Sequence, residues 1–208
     1  MRIVWLLILV LTAVPGLAQE GASGDESCSD REICPIPFVK LSTQESDPFL
    51  THGKVMDPER PDWNKYRDPI QRYNDVRSCL TEDQRNAPIP DLRKVNWTRL
   101  LVRKHEADVC MFRIATSLLT LEALEKWALS QDMKFSELAR VRSENYRSRY
   151  PMEPRFGVEF GWTGDQYREL RPRSLLSFLD RGVYRYRIGI HFSESMEVSG
   201  ADSATVSK

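Results

Sequence analysis

Residues 107–129 read ADVCMFRIATSLLTLEALEKWAL, the longest plausible helix after the N-terminus and an unusually apolar one. On a helical wheel from Asp108 to Leu121, Arg113, Thr116, Ser117 and Thr120 form one narrow polar stripe. Met111, Phe112, Ile114, Ala115, Leu118, Leu119 and Leu121 cover the rest, and a helix apolar around most of its circumference is a buried one. Asp108, in the first turn, is the expected cap. After Leu121 the pattern changes. Glu122, Glu125 and Lys126 open a second face, with Glu122 and Lys126 at the favourable i,i+4 spacing. The whole stretch is expected to be one helix and the spine of the core.

C-terminal to it, a cap at Asp132 or Ser136 predicts a second, charged helix over SELARVRSENYRSRY, ending before Pro151. The period then switches. Phe156, Val158, Phe160 and Trp162 alternate with Gly157, Glu159 and Gly161. Tyr184, Tyr186, Ile188, Ile190 and Phe192 alternate with Arg185, Arg187, Gly189 and His191. Period-two alternation marks half-buried strands. The two are expected to pair antiparallel and to lay their aromatic faces on the central helix. Thr163-Gly164-Asp165 reads as a turn, and Ser174 to Asp180 as a short helical turn. Residues 193–208 are small and polar and are expected to be disordered.

The N-terminal side is different. Arg2, the apolar run Ile3 to Val14, the Pro15-Gly16 break and the small residues Gly16 and Ala18 have the layout of a cleavable signal peptide, residues 1–18, cut near Ala18. The run is shorter than the ~20 apolar residues that span a bilayer, so the mature chain is expected to hold no transmembrane segment and to be periplasmic or secreted. The excess of Arg over Lys favours a bacterial periplasm. Residues 19–32 form a flexible acidic lead-in. Residues 33–95 are a Pro-rich loop and arm region, with Pro35 and Pro37 keeping its first patch extended. A helix is expected over Pro69–Leu80, with Asp68 as cap and Tyr73, Val76 and Leu80 inward. Residues 96–192 hold the helical core and the strand pair. Asn96-Trp97-Thr98 is a glycosylation sequon only if the organism glycosylates there.

Four cysteines behind a signal peptide point to disulfides. Pairing Cys28 with Cys34 and Cys79 with Cys110 closes the shorter loops. The fold class is therefore α+β: a central buried helix, a second charged helix, a C-terminal antiparallel strand pair and a Pro-rich, disulfide-stapled N-terminal arm.

Formal net charge is zero, with 30 basic and 30 acidic residues, so nothing pulls the whole chain toward nucleic acid or acidic membranes. KFSELARVRSEN has a faint helix-turn-helix look, which export makes irrelevant. No HExxH, Gly-x-Ser-x-Gly or phosphate loop occurs, and no catalytic residue, metal ligand or cofactor is expected. His105-Glu106-Ala107-Asp108 is the most site-like tetrapeptide. His105 and Asp108 share a helical face, though a polar helix start explains them as well. Glu153, Glu159 and Asp165 near Trp162 and Tyr167 are the only place for a paired-carboxylate mechanism. The stronger signal is arginine interleaved with aromatics between Arg140 and Arg187. Arg forks grip carboxylates and phosphates, and aromatics stack on sugars or on Arg. Arg185, Arg187, Arg168, Tyr167 and Trp162 are the candidate partner-binding residues. They point to a non-enzymatic exported binding or assembly protein that docks on a protein or on an anionic glycan or lipid. The alternatives are a secreted hydrolase of cell-wall or polysaccharide material, marked by a pocket with two close carboxylates or a His–carboxylate pair beside Trp162, and an inhibitor or immunity-type protein, marked by an exposed rigid loop.

Overall fold

The computed structural model describes residues 36–103, 105–141, 156–171 and 182–207. In chain order these form a small hairpin, β1 (Leu50–Thr51) and β2 (Lys54–Val55), then α1 (Trp63–Arg72), a 3₁₀ turn (Val76–Cys79), α2 (Glu82–Arg85), α3 (Trp97–Leu100), α4 (Glu106–Leu118) and α5 (Leu121–Ser130). Two short strands follow, β3 (Lys134–Phe135) and β4 (Ala139–Arg140), then β5 (Phe156–Thr163), α6 (Gly164–Leu170), β6 (Val183–Phe192) and β7 (Val198–Ser207). The class is α+β, with an antiparallel sheet ordered β3-β5-β6-β7 and β4 also paired to β5.

Every residue of α4 is buried. The expected single helix is nevertheless two. Leu119 turns left-handed (φ 60) and its N–H bonds back to Ala115 O, which stops α4. Thr120 then takes an extended conformation and its hydroxyl accepts from Ala123 N at 3.1 Å, which starts α5. A threonine that satisfies a free N–H at a new helix start competes with helix continuation. The polar stripe of α4 faces the N-terminal arm. Arg113, wholly buried, donates to the carbonyls of Thr43 (2.9 Å) and Tyr73 (3.3 Å), to Asp47 O and to Gln44 Oε1. Ser117 Oγ accepts from Ser42 N at 3.0 Å. Burial pushes the Arg113 guanidinium down to about 10, against the opposing pull of Asp47 and Asp75.

The Cys79–Cys110 disulfide ties the 3₁₀ turn to α4 with a Cα–Cα distance of 5.6 Å. Cys28 and Cys34 lie outside the described residues. The region around residues 49–95 does more than lie over a core built elsewhere: Phe49, Met56, Tyr73, Val76, Leu80 and Leu92 are in it. The helix expected over Pro69–Leu80 runs instead from Trp63 to Arg72, with Pro69 inside it and Asp75 capping the separate 3₁₀ turn (Asp75 Oδ1 from Arg77 N, 2.6 Å). Tyr73, Val76 and Leu80 are buried as their spacing implied.

The second charged helix is a correction. Over residues 134–140 the chain runs as β3 and β4 along β5, with Phe135 opposite Phe160 and Ala139 opposite Gly157. Phe135 stacks on Phe160 with ring planes 8° apart, and Ser136 exchanges bonds with the Glu159 backbone. The open edge of β5 offers backbone partners and an aromatic face, which outweigh a weak helical preference. Residues 142–150, the rest of that expected helix, and residues 174–180 lie outside the described residues.

β5 and β6 pair antiparallel as expected, from Phe156 opposite Phe192 to Thr163 opposite Arg185. The tail expected to be disordered is a second correction: Val198–Ser207 is β7, paired along β6. Its small side chains suit it to the place. Ala201 is buried, and Ser203 Oγ reaches Asp108 of α4 at 2.5 Å. A composition that reads as tail is also what lets a helix pack close to a strand.

Candidate functional site

The aromatic side chains of the alternating strands build a ladder. Trp162 meets Trp97 edge-on (4.6 Å, 86°) and stacks on Tyr186 (5.9 Å, 25°). Tyr186 stacks on Tyr167 (4.9 Å, 6°), and the Arg171 guanidinium lies 5.9 Å from the Tyr167 ring centre. Trp162 Nε1 donates to Gln131 O at 2.8 Å. Tyr167 is placed by α6, whose start is a capping box: Thr163 Oγ1 accepts from Gln166 N, and Gln166 Oε1 accepts from Thr163 N. The sequence signal read as a turn is therefore a helix cap.

This ladder ends at a cavity of about 560 Å³. Leu100 at the end of α3 and Leu101, Val102 and Arg103 after it line the cavity with His105, as do Tyr167 and Arg171. The floor is Val183, Tyr186, Ser203 and Thr205 from β6 and β7. Arg103, Arg171 and His105 are the basic side chains among its described lining residues, which include no carboxylate.

His105 precedes α4 in a left-handed conformation (φ 71). Histidine is one of the few side chains enriched there. Its Nδ1 lies 2.9 Å from Asp108 Oδ2. The same carboxylate accepts from Tyr66 OH (3.1 Å) and from Ser203 Oγ (2.5 Å), and the Tyr66 ring packs 4.6 Å from the imidazole. Facing a carboxylate, Nδ1 is the nitrogen that donates to it, and the contact fixes the orientation of the ring. Burial, then the Asp108 charge, pushes the Tyr66 phenol above its ordinary range, so it stays a donor. Asp108 does not cap α4 as expected; it orients His105. Glu106 is likewise buried, between Arg72 and the Tyr73 hydroxyl (3.1 Å). Burial and the Glu106 charge push Tyr73 up to about 12. Two carboxylates in the first turn of α4 sit at the favourable end of the helix dipole.

The five sequence-predicted binding residues do not form one surface. Trp162 and Tyr167 are 2% and 4% exposed and belong to the core ladder, so their reading as surface contacts is corrected. They act as the cavity's backing. Arg168 of α6 donates to Val183 O at 2.9 Å and pairs with Asp165. Arg185 and Arg187 sit on the opposite face of the sheet from Tyr186. There Arg187 forks between Glu159 (2.8 Å) and Asp202 (3.0 Å), and His191 Nε2 lies 2.6 Å from Asp202. A Cβ at Gly189 would come 2.7 Å from Asp202 Oδ1, so a larger residue there would have to move that carboxylate. Burial raises the Asp202 carboxyl, but the His191 contact and the His191 and Arg187 charges hold it below the usual range. Glu159 and Asp165 thus belong to separate ion pairs rather than to a carboxylate dyad. Glu153 lies outside the described residues.

Sequence reasoning singled out neither Ser203 nor Tyr66 nor Arg103. Ser203 sits in what reads as tail, and Tyr66 is in a Pro-rich stretch with no periodicity. Comparison with protein-family models, curated proteins and solved structures finds no match.

Proposed function

We propose that this is an exported binding protein that takes an anionic group of its partner in the His105 cavity. Export is supported by the layout of residues 1–18, and the Cys79–Cys110 disulfide is compatible with an oxidising compartment. Among the described residues no helix is long and apolar enough to cross a membrane. The observation that carries the reading is the cavity lining: Arg103, Arg171 and His105 around hydroxyls and a tyrosine-backed floor, with no described carboxylate facing in. Such a lining favours a carboxylate, sulfate or phosphate carried on a small apolar or sugar body. Titration with sulfate, phosphate and glucuronate, followed by amide shifts at Ser203 and Thr205, is expected to show saturable binding. Arg103→Glu with Arg171→Glu abolishes it, whereas Arg185→Glu leaves it. Binding that survives the double reversal refutes the cavity as the site.

A second reading, a hydrolase, is favoured by one observation: His105 lines the cavity with the buried Asp108 carboxylate behind it, and Trp162 stands one ring behind Tyr186. That pair is built like a general base and its orienting carboxylate. Turnover of nitrophenyl esters or glycosides that His105→Gln eliminates would favour it over binding alone.

A further inference from the structure

The His105 cavity offers a ligand more than its basic side chains. Alternation along β7 puts Ser203, Thr205 and Ser207 on one face of the strand, and all three line the cavity. Ser203 fixes which face that is, because its hydroxyl reaches inward to Asp108 of α4. Its proton is used there, and its oxygen is left to accept. Thr205 and Ser207 are exposed, and their hydroxyls have no partner among the described residues. Alternate residues of a strand stand about 6.8 Å apart, so the row of hydroxyls is wide enough to meet both edges of one sugar ring. The apolar lining shows a ligand much less. Leu100, Leu101 and Val183 are 1%, 6% and 7% exposed, which leaves Val102 as the main apolar side chain presented.

The cations point to the kind of anion. Arg103 is exposed and has no ion pair among the described residues, and Arg171 lies against the Tyr167 ring. A planar guanidinium fork matches a carboxylate in two parallel bonds. A tetrahedral anion is commonly cradled by free backbone N–H groups at a helix start. Here the start of α4, beside His105, is already taken by the buried Glu106 and Asp108.

We propose that the ligand of this cavity is a uronic acid, whose carboxylate takes Arg103 and Arg171 while its ring hydroxyls take Thr205 and Ser207, with Ser203 as an acceptor. This rests on the anion-binding reading above and narrows it to a carboxylate on a hydroxylated ring. A sugar hydroxyl both donates and accepts, which suits protein hydroxyls that do the same. An apolar acid would instead lay C–H groups against them and forfeit those hydrogen bonds.

The test is calorimetric titration of the full chain. Glucuronate is the free acid, and methyl glucuronide, its glycoside, is the form that a glycan end presents. Cyclohexanecarboxylate keeps the ring and the carboxylate but has no hydroxyl. At least one of the two uronates is expected to bind about tenfold more tightly than cyclohexanecarboxylate, the gain that two added hydrogen bonds imply, and the tighter of the two separates a free acid from a chain end. Thr205→Val with Ser207→Ala is expected to erase that preference at an unchanged melting temperature, and Arg103→Gln to weaken all three acids together. Equal affinity for the uronates and cyclohexanecarboxylate, a preference that survives the double variant, or sulfate bound more tightly than either uronate overturns the proposal while the anion site stands. No binding by any of these acids, by sulfate or by phosphate overturns the anion site itself, and the proposal with it.

Discussion

Replacing Arg113 by Met removes the one cation in the polar stripe of α4 and leaves its acceptors behind. The carbonyls of Asp47 and Tyr73 lose their donor where the Arg113 side chain is wholly buried, whereas Thr43 O keeps the Asp47 N–H (2.9 Å) and Gln44 Oε1 the Phe49 N–H (3.2 Å). A buried acceptor left unpaired costs about 1–3 kcal/mol. The two carbonyls together cost about 2–6 kcal/mol, and the desolvation penalty of the guanidinium, which the substitution removes, offsets part of that. The balance is a loss of about 2 kcal/mol. For a chain of this size that is a fall of roughly 4–8 °C in melting temperature. The damage is local in origin, since those carbonyls belong mostly to the arm. Limited trypsin digestion is therefore expected to cut after Lys40 much faster in Arg113→Met than in the native protein, well below the melting transition. Arg113→Lys keeps the charge but loses the planar fork, and is expected to fall between the two. Urea unfolding that put Arg113→Met within about 1 kcal/mol of native, with unchanged cleavage at Lys40, would refute the view that this side chain holds the arm to the helix.

Three further outcomes follow from the same structure. Replacing Cys79 and Cys110 together by Ala is expected to cost about 3.5 kcal/mol from the loop they close, read as a lower urea midpoint; peptide mapping that joined Cys79 to another cysteine would contradict the pairing. Thr163→Ala removes the cap of α6 and is expected to cost about 1 kcal/mol, with Thr163→Ser near native; because α6 carries Tyr167 and Arg171, anion binding in the cavity weakens in step. Burial, followed by the positive charges of His191 and Arg60, holds His52 below its ordinary range. Its neutral form is the folded one, so its contribution is complete above the unfolded value of about 6.5 and is lost as pH falls through that value toward the lower folded one. His52→Asn, which tolerates the left-handed backbone there (φ 53), is expected to flatten the fall of stability below about pH 6.5; an unchanged slope of unfolding free energy against pH rejects the assignment.

The sequence by itself determined the elements whose signal is local and periodic. All-round apolarity marked 108–121 as buried, and 108–118 is; strict alternation marked β5 and β6, and loop closure favoured Cys79 with Cys110. Tertiary structure decided the segments whose own preference is weak. SELARVR is helical by composition, but β5 offered the chain an edge, and residues 134–135 and 139–140 became β3 and β4. The small residues of 198–207 read as tail because nothing in a single chain shows that a buried helix needs a thin strand beside it. The site was only half legible for the same reason. Arginine and aromatic residues were visible as a composition, but alternation sent them to opposite faces of one sheet. Trp162 and Tyr186 went inward, where Tyr167 joins them from α6, and Arg187 went outward to Glu159 and Asp202. His105 and Asp108 are three residues apart and can be paired on paper. The Tyr66 and Ser203 hydroxyls that complete the pair arrive from 42 and 95 residues away, and only packing brings them there.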